Sequence, residues 1–114
     1  MNIQSIASAA NDVSSILKLL SNPNRLLIVC QLVDEEKSVG ELARLIGASQ
    51  VTVSQQLSLL KNTGVVTSRR EAQTIFYRLE HNEIRQLIMF LYQTFCLERV
   101  KASQPDNERT ARQS

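Results

Sequence analysis

The 114-residue chain is poor in the residues that carry most site chemistry: it has two cysteines, one histidine and no tryptophan. Two cysteines do not make a disulfide scaffold. A single histidine leaves too few ligands for a tetrahedral zinc site, and no Cys and His pair is placed to activate a nucleophile, which counts against an enzyme. No run of about 18 apolar residues is present to span a bilayer, so no membrane association is expected. The N-terminus lacks a basic region, an apolar core and a small-residue cleavage site, so a cytoplasmic location is expected. In that reducing setting Cys30 and Cys96 are expected as thiols that pair at most transiently.

Acidic residues are scarce in one stretch. Between Lys37 and Glu80 there are six basic residues (Lys37, Arg44, Lys61, Arg69, Arg70, Arg78) and three acidic ones (Glu41, Glu71, Glu80), a net +3, whereas the rest of the chain sums to −1. A modest excess of this kind is compatible with a nucleic-acid footprint and with an ordinary solvated face.

Turn and cap residues divide the chain. Ile3, Ile6, Ala10, Val13, Leu17 and Leu20 recur at spacings of three and four, a first helix with a coiled-coil-like seam. Asn22 and Pro23 form an N-cap and first-turn pair, predicting a second helix to about Val33 that buries Leu26, Leu27, Cys30 and Val33. Ser38 and Glu41 form a capping box and Gly47 a left-handed stop, bounding a third helix over 39–46. Ser49 caps a fourth, which Gly64 closes. Next, 65-VVTSRR-70 and 74-TIFYRL-79 read as a β-hairpin joined by 71-EAQ-73. Ile84, Ile88, Leu91 and Phe95 mark a fifth helix from Asn82 to about Lys101, and 102–114, with almost nothing to bury, is expected to be a disordered tail. One domain over 1–101 follows. It is mainly α with a small β-hairpin, in the order four helices, hairpin, helix, which is the layout of a winged helix-turn-helix.

The fourth helix is unusual. Val53, Leu57 and Leu60 fall on one side and face the core, leaving Val51, Ser54, Gln55 and Ser58 outward. Solvent favours Lys and Glu on such a face. Gln instead suits bidentate pairing with adenine, Ser and Thr suit several bases, and Val suits a thymine methyl. Ser49, Gln50, Val51, Thr52, Ser54 and Gln55 are therefore candidate base readers. Arg69, Arg70 and Gln73, around the hairpin tip, are candidates to hold the backbone or the minor groove of double-stranded DNA.

The run from 22-NPNRLLIV-29 through 38-SVGELA-43 and 49-SQVTVSQQLSLLKNTGVV-66 to 77-YRL-79 resembles the ArsR/SmtB family of bacterial repressors. The likeness covers about Asn11 to Cys96. It implies a homodimer built on the first and fifth helices that blocks transcription at an operator until an inducer binds. The seam of the first helix and the small core independently suggest self-association. Soft-metal sensors of the family share an E-L-C-V-C-D-L motif where this chain has 36-EKSVGEL-42, with Ser38 and Gly40 at the thiolate positions. The zinc and nickel type draws Asp and His from the fifth helix, where His81 stands alone at the start, as a cap or surface residue. No metal and no cofactor are therefore expected.

One cysteine in the second helix and one late in the fifth resembles the BigR/SqrR branch. That likeness implies that Cys30 and Cys96 sense persulfides or polysulfides by closing a di- or polysulfide bridge. Packing as small hydrophobes, general redox sensing and capture of a thiophilic ion by the pair remain alternatives at this point.

Overall fold

The computed structural model describes residues 1–97; the expected last turn of the fifth helix and the tail at 102–114 lie outside them. Asn2 opens α1 (Ile3–Leu20) by accepting from the Gln4 N–H. Asn22 accepts from the N–H groups of Asn24 and Arg25 and, with Pro23 in the first turn, starts α2 (Pro23–Gln31). Both halves of the Ser38 and Glu41 capping box form at α3 (Val39–Ile46), which ends on Gly47 at φ 73°. Ser49 caps α4 (Gln50–Asn62), and Gly64 at φ 81° turns the chain into the hairpin. Each of these boundaries is a local hydrogen-bonding solution to the unsatisfied groups at a helix end, which is why all but the Asn2 cap were legible in the sequence.

Two local expectations shift. α2 stops at Gln31 and buries Ile28 and Val29, with Leu32 buried just beyond, whereas Leu27 is exposed and Leu26, Cys30 and Val33 are half-buried. Residues 26–33 are apolar on nearly every side, so periodicity cannot choose the inner face. Packing against α3 and α4 does. The hairpin runs as β2 (Val66–Glu71) and β3 (Thr74–Leu79) with Glu71 opposite Thr74, leaving a two-residue turn of Ala72 and Gln73. Ala72 sits at φ 57°, a conformation that such turns usually reserve for Gly, Asn or Asp.

A further strand, β1 (Lys37–Ser38), pairs antiparallel with β3 and makes a three-stranded sheet of order β1-β3-β2. Two residues are too few to show a period, so the sequence reads only a hairpin there. The edge that β1 covers would otherwise be unpaired backbone.

The core of the unit Met1–Asn82 gathers Ile28, Val29 and Leu32 with Leu42, with Val53, Leu57 and Leu60 of α4, and with Val65, Val66 and Leu79 at the hairpin base. α1 adds Leu20 alone among its buried residues; Ile3, Ile6, Val13 and Leu17 of the expected seam are exposed. A second unit begins at Glu83. There α5 (Asn82–Leu91) buries Ile84 and Ile88 and passes into a π-helical turn, Tyr92–Cys96, closed by the Leu97 N–H on the Tyr92 carbonyl. The wide turn shifts the helical phase. Phe95, expected on the buried stripe, is 58% exposed. Among the described residues no helix is long and apolar enough to cross a membrane.

Candidate nucleic-acid interface

Val53, Leu57 and Leu60 are fully buried, and this anchoring fixes the rotation of α4. It turns Val51, Ser54, Gln55 and Ser58 to solvent as the spacing predicts, Val51 to 68% exposure. An exposed β-branched residue there neither favours helix nor improves solubility. Ser49 is committed to the cap: its Oγ accepts from the Thr52 N–H at 3.1 Å and donates to Thr52 Oγ1 at 3.0 Å. Thr52 is half-buried by comparison with its neighbours. Gln50 is exposed at the start of α4, and a Cβ placed on Gly40 would lie 3.7 Å from its Nε2, so the first turns of α3 and α4 adjoin.

Gln56 does not join the outward face. Its Oε1 accepts from Arg25 Nη1 at 3.0 Å, while Arg25 Nε donates to the Leu19 carbonyl at 2.6 Å. One guanidinium of α2 thus ties the end of α1 to the middle of α4.

The hairpin treats its two adjacent arginines differently, because successive side chains of a strand point to opposite faces. Arg70 shares a face with Val66, which is buried, and Ser68, whose Oγ accepts from Lys61 Nζ of α4 at 2.7 Å. Arg70 therefore stands on the α4 side of the hairpin, exposed and with no carboxylate partner among the described residues. Arg69 points the other way. Its Nε meets both Glu36 carboxylate oxygens at 2.9 and 3.0 Å, its Nη2 also binds Glu36, its Nη1 donates to Glu71 at 2.9 Å, and its Cζ lies 4.9 Å from the Phe76 ring centre. Hydrogen bonding to this guanidinium holds the Glu36 carboxyl below its ordinary range and raises Arg69 further above its own. Gln73 is exposed in the turn.

Of the six basic residues in the positive window, Lys37 bonds the Gln31 carbonyl, Arg78 pairs with Glu80 at 3.2 Å, and Lys61 and Arg69 are engaged as above. Lys61, Arg44 and Arg70 have no carboxylate partner among the described residues, and Arg44 and Arg70 make no side-chain hydrogen bond there either. Arg44 is exposed one turn after Gly40 on α3, hence on the face that adjoins the start of α4. Sequence reasoning passed over it because the lack of an acidic neighbour is visible only in three dimensions.

Cys30 is half-buried in α2, and Cys96 is exposed in the π-helical turn. His81 is half-buried just before α5. Among the described residues no three His, Cys, Asp or Glu side chains converge to hold a metal ion.

A helix, a left-handed glycine turn and a second helix that presents hydrogen-bonding, uncharged side chains beside a hairpin define a winged helix-turn-helix DNA-binding protein. The chain belongs to the ArsR family: residues 22–68 match the family described as "Bacterial regulatory protein, arsR family". It is 45% identical over 102 residues, 90% of each sequence, to the "Biofilm growth-associated repressor" of Xylella fastidiosa. Identity is 40% over 96 residues, 84% of this chain and 89% of the relative, to the "Transcriptional activator HlyU" of Vibrio cholerae. The crystal structure of the transcriptional repressor BigR from Xylella fastidiosa superposes with a TM-score of 0.80 at 47% identity, over 84% of this chain and 98% of that one. A homodimeric winged helix-turn-helix DNA-binding domain from Mycobacterium bovis, solved by NMR, matches with a TM-score of 0.66 at 25% identity, over 97% of each chain. These relatives are transcription regulators, not enzymes.

Proposed function

We propose that this chain is a cytoplasmic transcriptional repressor that binds palindromic operator DNA as a homodimer and is released when reactive sulfur species oxidise Cys30 and Cys96 to a di- or polysulfide bridge. The observation that carries the DNA half is the outward face of α4, with Val51, Ser54 and Gln55 free to meet base edges. Gln50, Ser49 and Thr52 flank it at the helix start. Arg70, Arg44 and Gln73 surround it as backbone contacts.

Dimerisation through the first and fifth helices is supported by what each leaves exposed: Ile3, Ile6, Val13 and Leu17 on one, Met89 and Phe90 on the other, with Tyr92 and Phe95 following. Apolar exposure on this scale marks an interaction surface. A two-fold dimer presents two α4 helices one or more DNA turns apart, about 34–36 Å per turn, hence an imperfect palindrome. Repression rather than activation is supported by the biofilm growth-associated repressor, the relative of higher identity and coverage.

The sensing half rests on the thiols. Exposed Cys96 is accessible to a small persulfide, and attack proceeds through the thiolate. Transfer of the sulfane sulfur to one cysteine releases the donor's thiol. Attack by the second cysteine on that persulfide then expels hydrogen sulfide and closes the bridge, so two thiols lose two electrons to one sulfane sulfur. A second transfer before closure inserts an extra sulfur atom.

Cys30→Ser and Cys96→Ser, measured separately, test this reading. Each is expected to bind operator in a mobility shift and to stay bound in persulfide, while the wild-type chain is released and its mass records the bridge. Release of either single mutant with wild-type sensitivity would eliminate the bridge. Release by As(III) or Cu(I) without a sulfur-dependent mass change would point instead to thiophilic-ion sensing by the same pair.

A further inference from the structure

Adjacent arginines at the tip of a basic hairpin look interchangeable, but Arg69 and Arg70 occupy different electrostatic surroundings. The sheet order is β1-β3-β2, so a contact from Glu36, which precedes β1, to Arg69 on β2 crosses the whole sheet, and it does so over Phe76 of the central strand. All three guanidinium nitrogens are engaged by carboxylates. The ion-paired residues on this side, among the described residues, are Glu36, Glu71, Glu80, Arg69 and Arg78, a net −1. Turning Arg69 toward a phosphate would strip Glu36 and Glu71 of their partner and leave two carboxylates close to the DNA backbone. On the α4 side Arg70 lies two residues along β2 from Ser68, which holds Lys61 Nζ at 2.7 Å, and neither cation has a carboxylate partner among the described residues.

We infer that Arg69 is a positioning residue that clamps the wing to the segment before β1 through Glu36, with Glu71 of its own strand holding the guanidinium in place, and that Arg70 alone of the pair neutralises a phosphate. The inference rests on the DNA-binding reading and assigns different work to two residues that the sequence groups together. The clamp braces a wing whose turn holds Ala72 at positive φ and whose third strand is two residues long. A wing free to swing would spend part of its binding energy on ordering Arg70.

The test is fluorescence anisotropy of the full chain on a duplex that the wild-type chain has selected from a randomised library, measured across a series of KCl concentrations. Each neutralised phosphate contributes about one to the slope of log K against log salt. Arg70→Ala is expected to lower the slope by about two, one for each protomer of the dimer. Arg69→Ala and Glu36→Gln are expected to keep the wild-type slope while weakening binding by about two- to fivefold, the range typical of exposed ion pairs. Their double variant should be no weaker than either single one, because both break the same clamp. Arg69→Lys keeps the charge but loses the bidentate fork, so it should behave like Arg69→Ala.

Three results would each overturn the inference: a slope reduced by Arg69→Ala as much as by Arg70→Ala, wild-type binding by Arg69→Lys, or tighter binding by Glu36→Gln as a freed Arg69 reached the backbone. A wild-type chain that selects no duplex would instead remove the DNA-binding reading beneath it. Circular dichroism melting of Arg69→Lys and Glu36→Gln, the mildest changes, keeps a folding defect from being mistaken for either result.

Discussion

α1 and α4 each turn a face to solvent in the single chain, and neither is the Lys and Glu surface that solvent alone would select. α1 exposes Ile3, Ile6, Val13 and Leu17, whereas α4 exposes Gln50, Val51, Ser54, Gln55 and Ser58. Hydrocarbon without hydrogen-bonding groups suits another hydrocarbon surface, whose burial is worth about 25 cal/mol per Å². Amide and hydroxyl groups without charge suit a partner that presents donors and acceptors at fixed positions. The chemistry of the two outer faces is what assigns a protein partner to α1 and a nucleic-acid partner to α4 in the proposed function.

The largest expected effect breaks the α1 side. Leu17→Glu places a charge within the proposed dimer seam, where burying it unpaired is prohibitive. Light scattering at micromolar concentration should find a monomer, and operator binding should be lost with it, although Leu17 lies outside the proposed reading helix. A stable dimer would remove α1 from the interface.

Next is the joint between the two helices. Arg25→Ala removes the bonds to the Leu19 carbonyl and Gln56. Hydrogen bonds involving a charged group contribute about 1.5–3 kcal/mol when part-buried, so the urea midpoint should fall by a corresponding amount. An unchanged midpoint would show α1 and α4 to be independently held.

Gln55→Ala sharpens the α4 side. It should cost about 1–3 kcal/mol on the selected duplex and almost nothing on unrelated DNA. Equal losses on both would make Gln55 a general contact rather than a reader.

The smallest expected effect concerns pH. Glu36 is held below its ordinary pKa by Arg69, so its contribution to stability is present above the ordinary carboxylate range and is lost as pH falls through the lowered value. The melting-temperature difference between wild type and Glu36→Gln should hold at neutral pH and close only in acid. A difference that persisted below the lowered value would assign it to shape rather than charge.

Much of the helical layout was legible because it is local. Asn22 with Pro23, Ser38 with Glu41, Gly47 and Ser49 solve hydrogen-bonding problems within four residues of themselves, and the structure uses each at its predicted place. The α4 face was legible too, because Val53, Leu57 and Leu60 leave one rotation open. The inner face of α2 was not, since Leu26 to Val33 offers hydrocarbon in almost every direction. Nor was β1, whose two residues pair with a strand about forty positions away. The π-helical turn at Tyr92–Cys96 was hidden because periodicity assumes the very pitch that the turn abandons.

The candidate site divides along the same line. Sequence alone determined which residue types stand on the outer face of α4, because a helix's period and caps are set by neighbours in the chain. Only the tertiary structure decided which cations are available. Arg69 and Arg70 are chemically identical and adjacent, yet Glu36, thirty-three positions upstream, claims the first and leaves the second exposed. Arg44 became a candidate by the same test. Charge acts through space and is cancelled by whatever the fold brings near it, so its availability is a property of the folded chain.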